Sequence, residues 1–193
     1  MTIPDTWPVL WRSATENLDL FGLLGICFGF ATGLMPQRRL ILLTSAACGL
    51  CFSAHFLRLG SSTGMAMNLI SVAQSLVAAR YITASGRPAW LNGAFAAAFL
   101  LTIALTVSTW NGLPSAFACL AALLSTTARL QSSSQVLRLL LIGAGLFWAS
   151  HNMLVGSVCG LTCDCLALLG LSVALLRHHA ATRRFPATLV PSV

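Results

Sequence analysis

Lysine is absent from this chain of 193 residues, only four acids occur (Asp5, Glu16, Asp19 and Asp164), and there is one tyrosine. Charged residues make up 8% of the chain; about 25% is usual for a soluble domain. That scarcity excludes a water-soluble enzyme and a disordered tail. The seven cysteines all lie within or beside apolar runs, where cysteine acts as a small hydrophobe. Their odd number and scattered placement argue against a disulfide framework. What the chain has instead is apolar side chains, 57% of the total, and a mean hydropathy of +0.85.

A helix crossing a bilayer needs about 20 apolar residues. Seven such runs are legible, at 18–35, 40–59, 62–81, 89–110, 115–130, 136–155 and 157–177. Backbone polar groups must be paired internally in hydrocarbon, so each run is expected to be a helix. The predicted class is an all-α polytopic membrane protein with seven transmembrane helices. Residues 1–17 lack a basic start, apolar core and small-residue cleavage site, so no signal peptide is expected.

All eleven basic side chains are arginine, giving a net charge of +7. They separate the apolar runs rather than clustering on one soluble face, so nucleic acid is not an expected partner. On alternating helices, Arg12 and Arg58 fall on the side of the N-terminus. Arg38, Arg39, Arg80, Arg87, Arg129, Arg138, Arg177, Arg183 and Arg184 fall on the other. That bias predicts an outer (periplasmic) N-terminus and a cytoplasmic C-terminus. Trp7, Trp11, Trp90 and Trp110 fall at expected interfaces, whereas Trp148 lies inside the sixth run.

Sliding the chain against itself by 96 residues places 49–64 over 145–160, with six of sixteen positions identical. The matches include His55 over His151, Gly60-Ser61 over Gly156-Ser157, and Gly64 over Gly160. Asn68 then lies over Asp164, and Phe52 over Trp148. The chain divides into a repeat at about 18–81, a linking helix at 89–110, a second repeat at 115–177 and a short basic tail at 178–193. The odd linking helix makes the two repeats parallel, an arrangement known in transporters, whose site lies where the repeats meet.

This three-plus-one-plus-three order resembles the SWEET and PQ-loop transporters, with Pro36-Gln37 ending the first helix and Asn68 and Asp164 on the third helix of each half. Ser132-Ser133 stands where Pro-Gln would recur. A closer resemblance is to the YgjV-type bacterial inner membrane proteins. It rests on Gln37-Arg38-Arg39 after the first helix, on the His55-to-Asn68 stretch, and on the stretch from Trp148 to Gly160. That resemblance implies an inner-membrane location and says little about chemistry.

Asp164 is the one acid expected inside the bilayer, where a carboxylate must be paired, protonated or facing water. Asn68 offers hydrogen bonding at the equivalent place, and Phe52 and Trp148 offer rings for stacking. These four are the candidate ligand-binding residues. His55 and His151 are candidates for a gate or proton relay; the alternative is that each bonds carbonyls at the Gly-Ser turn following it. Gly60, Gly64, Gly156 and Gly160 are expected in turns and close helix contacts. Cys48-x2-Cys51 and the group Cys159, Cys163 and Cys165 do not recur at the repeat offset, so no metal and no cofactor is expected. The leading function is transport of a small polar solute. A non-transporting scaffold or accessory protein is the alternative, and an intramembrane enzyme using His151, Asp164 and Ser157 is a further one. A homo-oligomer is compatible with all three.

Overall fold

The computed structural model describes residues 19–184, with side chains to Ala180. Arg12, Trp7, Trp11 and the side chains of Arg183 and Arg184 therefore lie outside the described residues. Among the described residues seven helices follow one another: α1 Leu20–Leu34, α2 Arg38–Arg58, α3 Ser62–Tyr81, α4 Trp90–Ser108, α5 Leu113–Arg129, α6 Ser134–Val155 and α7 Val158–Arg184. Short connections make consecutive helices antiparallel. One end of the bundle gathers Arg38, Arg39, Arg80, Arg87, Arg129 and Arg138; we call it the arginine end. The other carries His55 and His151 and is called the histidine end.

Six helices close into a ring. α2 packs between α1 and α3, α6 packs between α5 and α7, α1 meets α7, and α3 meets α5. α4 stands outside, against the seam of α3 and α5. Polar side chains such as Ser71, Gln74, Ser75, Thr102, Thr126 and Ser125 point inward and are buried, while large apolar ones point outward. Leu100, Val107, Leu139 and Leu176 are each at least 62% exposed. Exposed apolar surface on this scale marks a face made for hydrocarbon rather than water.

Among the described residues four helices are long and apolar enough to cross a membrane: Arg38–Arg58, Trp90–Ser108, Ser134–Val155 and Val158–Ala180. α1 and α5, with 15 and 17 residues, fall short of the about 20 residues of a full span, and α1 is also shorter than its expected run 18–35. α3 has the length, but its inward Ser71, Gln74 and Ser75, with Asn68 and the exposed Arg80 near its end, dilute its apolar character. α7 extends past the expected Arg177 to Arg184, because His-His-Ala-Ala-Thr-Arg-Arg contains no helix breaker. Pro114, expected to precede α5, lies in its first turn, where the missing N–H would have had no helical partner.

The two turns at the histidine end close alike. Gly60 and Gly156 both have φ of 71°, a left-handed conformation that glycine adopts without steric penalty. Beyond them the Ser61 amide returns to the Phe56 carbonyl and the Ser157 amide to the Asn152 carbonyl, each at 2.9 Å. Trp90 and Trp110 flank α4 at opposite ends and are both more than half exposed.

Candidate functional site

A cavity of about 130 Å³ lies within the ring, lined by residues from all six ring helices and none from α4. Phe52 on α2, Asn68 on α3, Trp148 on α6 and Asp164 on α7 all line it. The sequence separates these side chains by up to 112 positions, from Phe52 to Asp164, and the ring brings them to one space. Asn68 donates to the Gly64 carbonyl one turn earlier, at 2.9 Å, which leaves its amide oxygen available. Asp164 accepts from the Asn152 amide at 2.7 Å through one carboxyl oxygen.

At the histidine end the cavity is roofed by aromatic rings. Trp148 stacks on Phe56, with centroids 6.4 Å apart and planes 15° apart. Phe52, expected as Trp148's counterpart, instead packs beside Phe56 and against Gly25, where a Cβ would meet its ring at 2.6 Å. His55 and His151 flank this cluster, each in ring contact with Phe56.

Neither histidine bonds the turn that follows it. His55 reaches across to the other turn: its Nε2 lies 3.0 Å from Ser157 Oγ and its Nδ1 lies 3.1 Å from Asp19 Oδ2. The carboxylate can only accept, so Nδ1 donates, and a neutral ring then accepts the Ser157 hydroxyl proton at Nε2. Ser157 Oγ in turn accepts the Gly160 amide, capping α7. Asp19 caps α1 by accepting from the Gly22 amide at 2.7 Å, and Arg58 approaches it at 3.6 Å. Burial alone would raise the Asp19 pKa, but the Gly22 amide, His55 and Arg58 together hold it below its ordinary 3.8. The order of carboxylate, imidazole and hydroxyl is that of an activated nucleophile. Here, however, Ser157 is 1% exposed, lines neither this cavity nor the recess above it, and is occupied as a helix cap. The chain of bonds ties the starts of α1 and α7 to the end of α2.

His151 has a different partner. Its Nδ1 lies 2.9 Å from the Pro114 carbonyl, so that nitrogen donates, while the buried Nε2 has no partner. The residue lines a wider polar recess of about 540 Å³ at the histidine end, together with Ser61, Thr63, Thr109, Asn111 and Ser115. His151 and the aromatic roof thus stand between the recess and the cavity.

The expected glycines divide by role. Gly60 and Gly156 make the turns, with open space where a Cβ would be. Gly64 and Gly160 lie inside helices and admit close neighbours: the His151 ring at 3.1 Å from a Cβ at Gly64, and the Asn152 amide over Gly160. A second glycine row, on α1, was not singled out from the sequence. Gly22, Gly25, Gly29 and Gly33 form its buried face. Three of them meet α7, at Cys159, Cys163 and Gly170 respectively. A Cβ on Gly33 would come within 3.0 Å of the Gly170 Cα. Spacings of three and four residues put all four on one helical face, which is the signal that reveals them.

The arginine end closes the cavity from below. Arg129, the last residue of α5, lines the cavity and is buried; its Nε donates to Ser75 Oγ at 2.7 Å and its Nη1 lies 3.4 Å from Gln74 Oε1. Thr126 donates to the same Gln74 oxygen at 3.0 Å. Arg38 donates to the carbonyls of Gln131, Ala78, Ile82 and Arg129 at 2.6 to 3.2 Å, closing the ends of α3 and α5. Arg138 donates to Met35 and Pro36, closing α1. The gathering of arginines here has a local cause: C-terminal carbonyls collect at this end and need donors.

Phe56, Asn152, Arg129 and Asp19 are the site residues that sequence reasoning left out. Phe56 and Asn152 are themselves paired at the 96-residue offset, one residue after each histidine. Asp19 carried the signature of a helix N-cap, a short acid just before an apolar run. Among the described residues the cysteines are all free, and no group of three or more His, Cys, Asp or Glu is placed to hold a metal ion. Cys48 and Cys163 approach most closely in the cavity wall, with Sγ atoms 3.9 Å apart.

Compared with known proteins, the chain matches the family model Imp-YgjV, described as bacterial inner membrane protein, over residues 18–182. No curated protein and no solved structure matches it.

Proposed function

The chain belongs to the Imp-YgjV family of bacterial inner membrane proteins, and on that premise we propose that it is a transporter of a small polar solute. One observation carries this reading: Asn68, Asp164, Phe52 and Trp148 line a single cavity enclosed by six helices. Polar groups inside a membrane protein that gather around a space, rather than bonding one another away, are the usual form of a solute site.

In this reading α1–α3 and α5–α7 are two parallel repeats, and α4 links them. The contact order supports it, because exchanging α1 with α5, α2 with α6 and α3 with α7 maps the ring onto itself. The matching turns at Gly60-Ser61 and Gly156-Ser157 support it as well. The cavity then lies between the halves, where alternating access operates by rocking one half against the other. The Phe56–Trp148 stack and the histidines form the gate at one end, and Arg38, Arg129 and Arg138 form the closure at the other. The arginine end is assigned to the cytoplasm, which leaves the N-terminus in the periplasm.

The test is uptake by vesicles reconstituted with the full chain, using a panel of labelled small solutes that spans neutral, cationic, anionic and zwitterionic classes. At least one class should accumulate over protein-free vesicles, and Asp164→Ala should abolish it. Unchanged uptake in that variant would remove Asp164 from the mechanism. No uptake of any class would favour the scaffold reading.

A further inference from the structure

The unfilled hydrogen-bonding groups around the cavity are sorted by kind. Near Asp164 they are acceptors: one carboxyl oxygen takes the Asn152 amide while the other has no bond, and Asn152 Oδ1 is buried without a partner. The Asn152 amide cannot be turned to relieve this, since its oxygen would then face the carboxyl group. Near Arg129 they are donors. The guanidinium makes only its bonds to Ser75 and Gln74, and no carboxylate pairs with it among the described residues. Gln74 Nε2, next to Arg129 but outside the cavity lining, is also buried without an acceptor. That amide too is fixed, because Arg129 can only donate and so requires the Gln74 oxygen.

Acceptors at one end and donors at the other call for a solute of the opposite arrangement. The geometry points to a small zwitterion, its ammonium group held by Asp164 and Asn152 and its carboxylate held by Arg129. This rests on reading the cavity as a solute site and names the class of solute.

The spacing narrows the class. Arg129 is bonded to Ser75, thirteen residues into α3, and Asp164 lies six residues into α7. Both helices start at the histidine end, so the two levels differ by roughly 10 Å along the bundle axis at about 1.5 Å per residue, and any offset across the ring adds to that. Allowing about 3 Å for a hydrogen bond at each end, the solute's charged groups stand at least roughly 4 Å apart. An α-amino acid falls short of that span; a β- or γ-amino acid reaches it. The cavity, at about 130 Å³, suits a molecule of that size, since about 150 Å³ holds a benzene. The Phe52, Phe56 and Trp148 rings offer apolar walls to the methylenes between the charges.

Calorimetric binding to the purified full chain in detergent tests this with glycine, β-alanine, γ-aminobutyrate, propylamine, butyrate and glycerol. β-Alanine or γ-aminobutyrate should bind tightest, ahead of glycine and of either singly charged compound. Arg129→Gln should weaken the zwitterion and butyrate by about tenfold or more and spare propylamine; Asp164→Asn should weaken the zwitterion and propylamine and spare butyrate. Where Arg129→Gln fails to fold, Arg129→Lys keeps a cation, and the wild-type ranking decides the matter alone. Binding of glycerol or of a single charge without preference for the zwitterions overturns the inference while leaving a transporter standing. No binding here, together with no uptake of any class by vesicles, overturns both.

Discussion

The His55 ring on α2 and the Ser157 hydroxyl at the start of α7 meet at 3.0 Å across the bundle, with Asp19 on the far side of the ring. One side chain thus secures three helices at the histidine end. Asp19→Ala removes a helix cap and orphans a buried imidazole nitrogen, and should lower stability by about 2–4 kcal/mol. Thermal unfolding of the purified protein in detergent checks this. Asp19→Asn, which retains an acceptor for Gly22, should lose less.

The same carboxylate sets an acid limit. Its folded-state pKa is depressed below 3.8, so its stabilisation is complete above about pH 4 and is lost as the pH falls through the folded value. Unfolding followed from about pH 6 down to about pH 3 should show a steeper acid loss in the wild type than in Asp19→Asn. Parallel curves would mean that Asp19 is not the group responsible.

Gly29 should tolerate no side chain. A Cβ there would collide with the Cys163 thiol in the cavity wall. Gly29→Ala is expected to destabilise by about 1–3 kcal/mol and to shrink the space available to a solute. Gly93→Ala on α4 is the control, since nothing lies within 4 Å of its added Cβ. It should be neutral or stabilising by up to about 1 kcal/mol.

Arg38 should resist even conservative replacement. Its guanidinium bonds four carbonyls at once, from the ends of α3 and α5 and the turn after α5. Lysine is a point donor without the planar fork, so Arg38→Lys should recover only part of the loss in Arg38→Ala. The pair of melting temperatures measures the difference.

Much of this fold was legible because apolar runs and their breaks follow directly from the solvent they face. α3 begins and ends where the sequence places it, and the other helices differ mainly at their ends. Asn68, Asp164, Trp148 and the histidines stood out because such side chains are conspicuous in an apolar run. Arg129 did not, since an arginine at the end of a run has an ordinary explanation as an interfacial charge, and only the packing of α5 on α3 turns it inward. The glycine face of α1 was hidden for a different reason. What it contributes is an absence of side chain, which has meaning only beside the helix that fills it. That Phe56 is the ring stacked on Trp148 depends on the rotation of α2, which a repeat offset does not set.

The glycine contact between α1 and α7 also makes the two seams of the ring unequal. At Gly33 and Gly170 backbone rests on backbone, so there is no side chain to swing aside and no rotamer to change. A gap opened there would forfeit close contacts with nothing to replace them. The seam of α3 and α5 is held instead by Arg129 on Ser75 and Gln74, bonds that can break and re-form, with α4 lying across the outside. The ring is thus sealed by backbone on its glycine side and by breakable polar bonds on the other, and α4 covers that polar seam from outside.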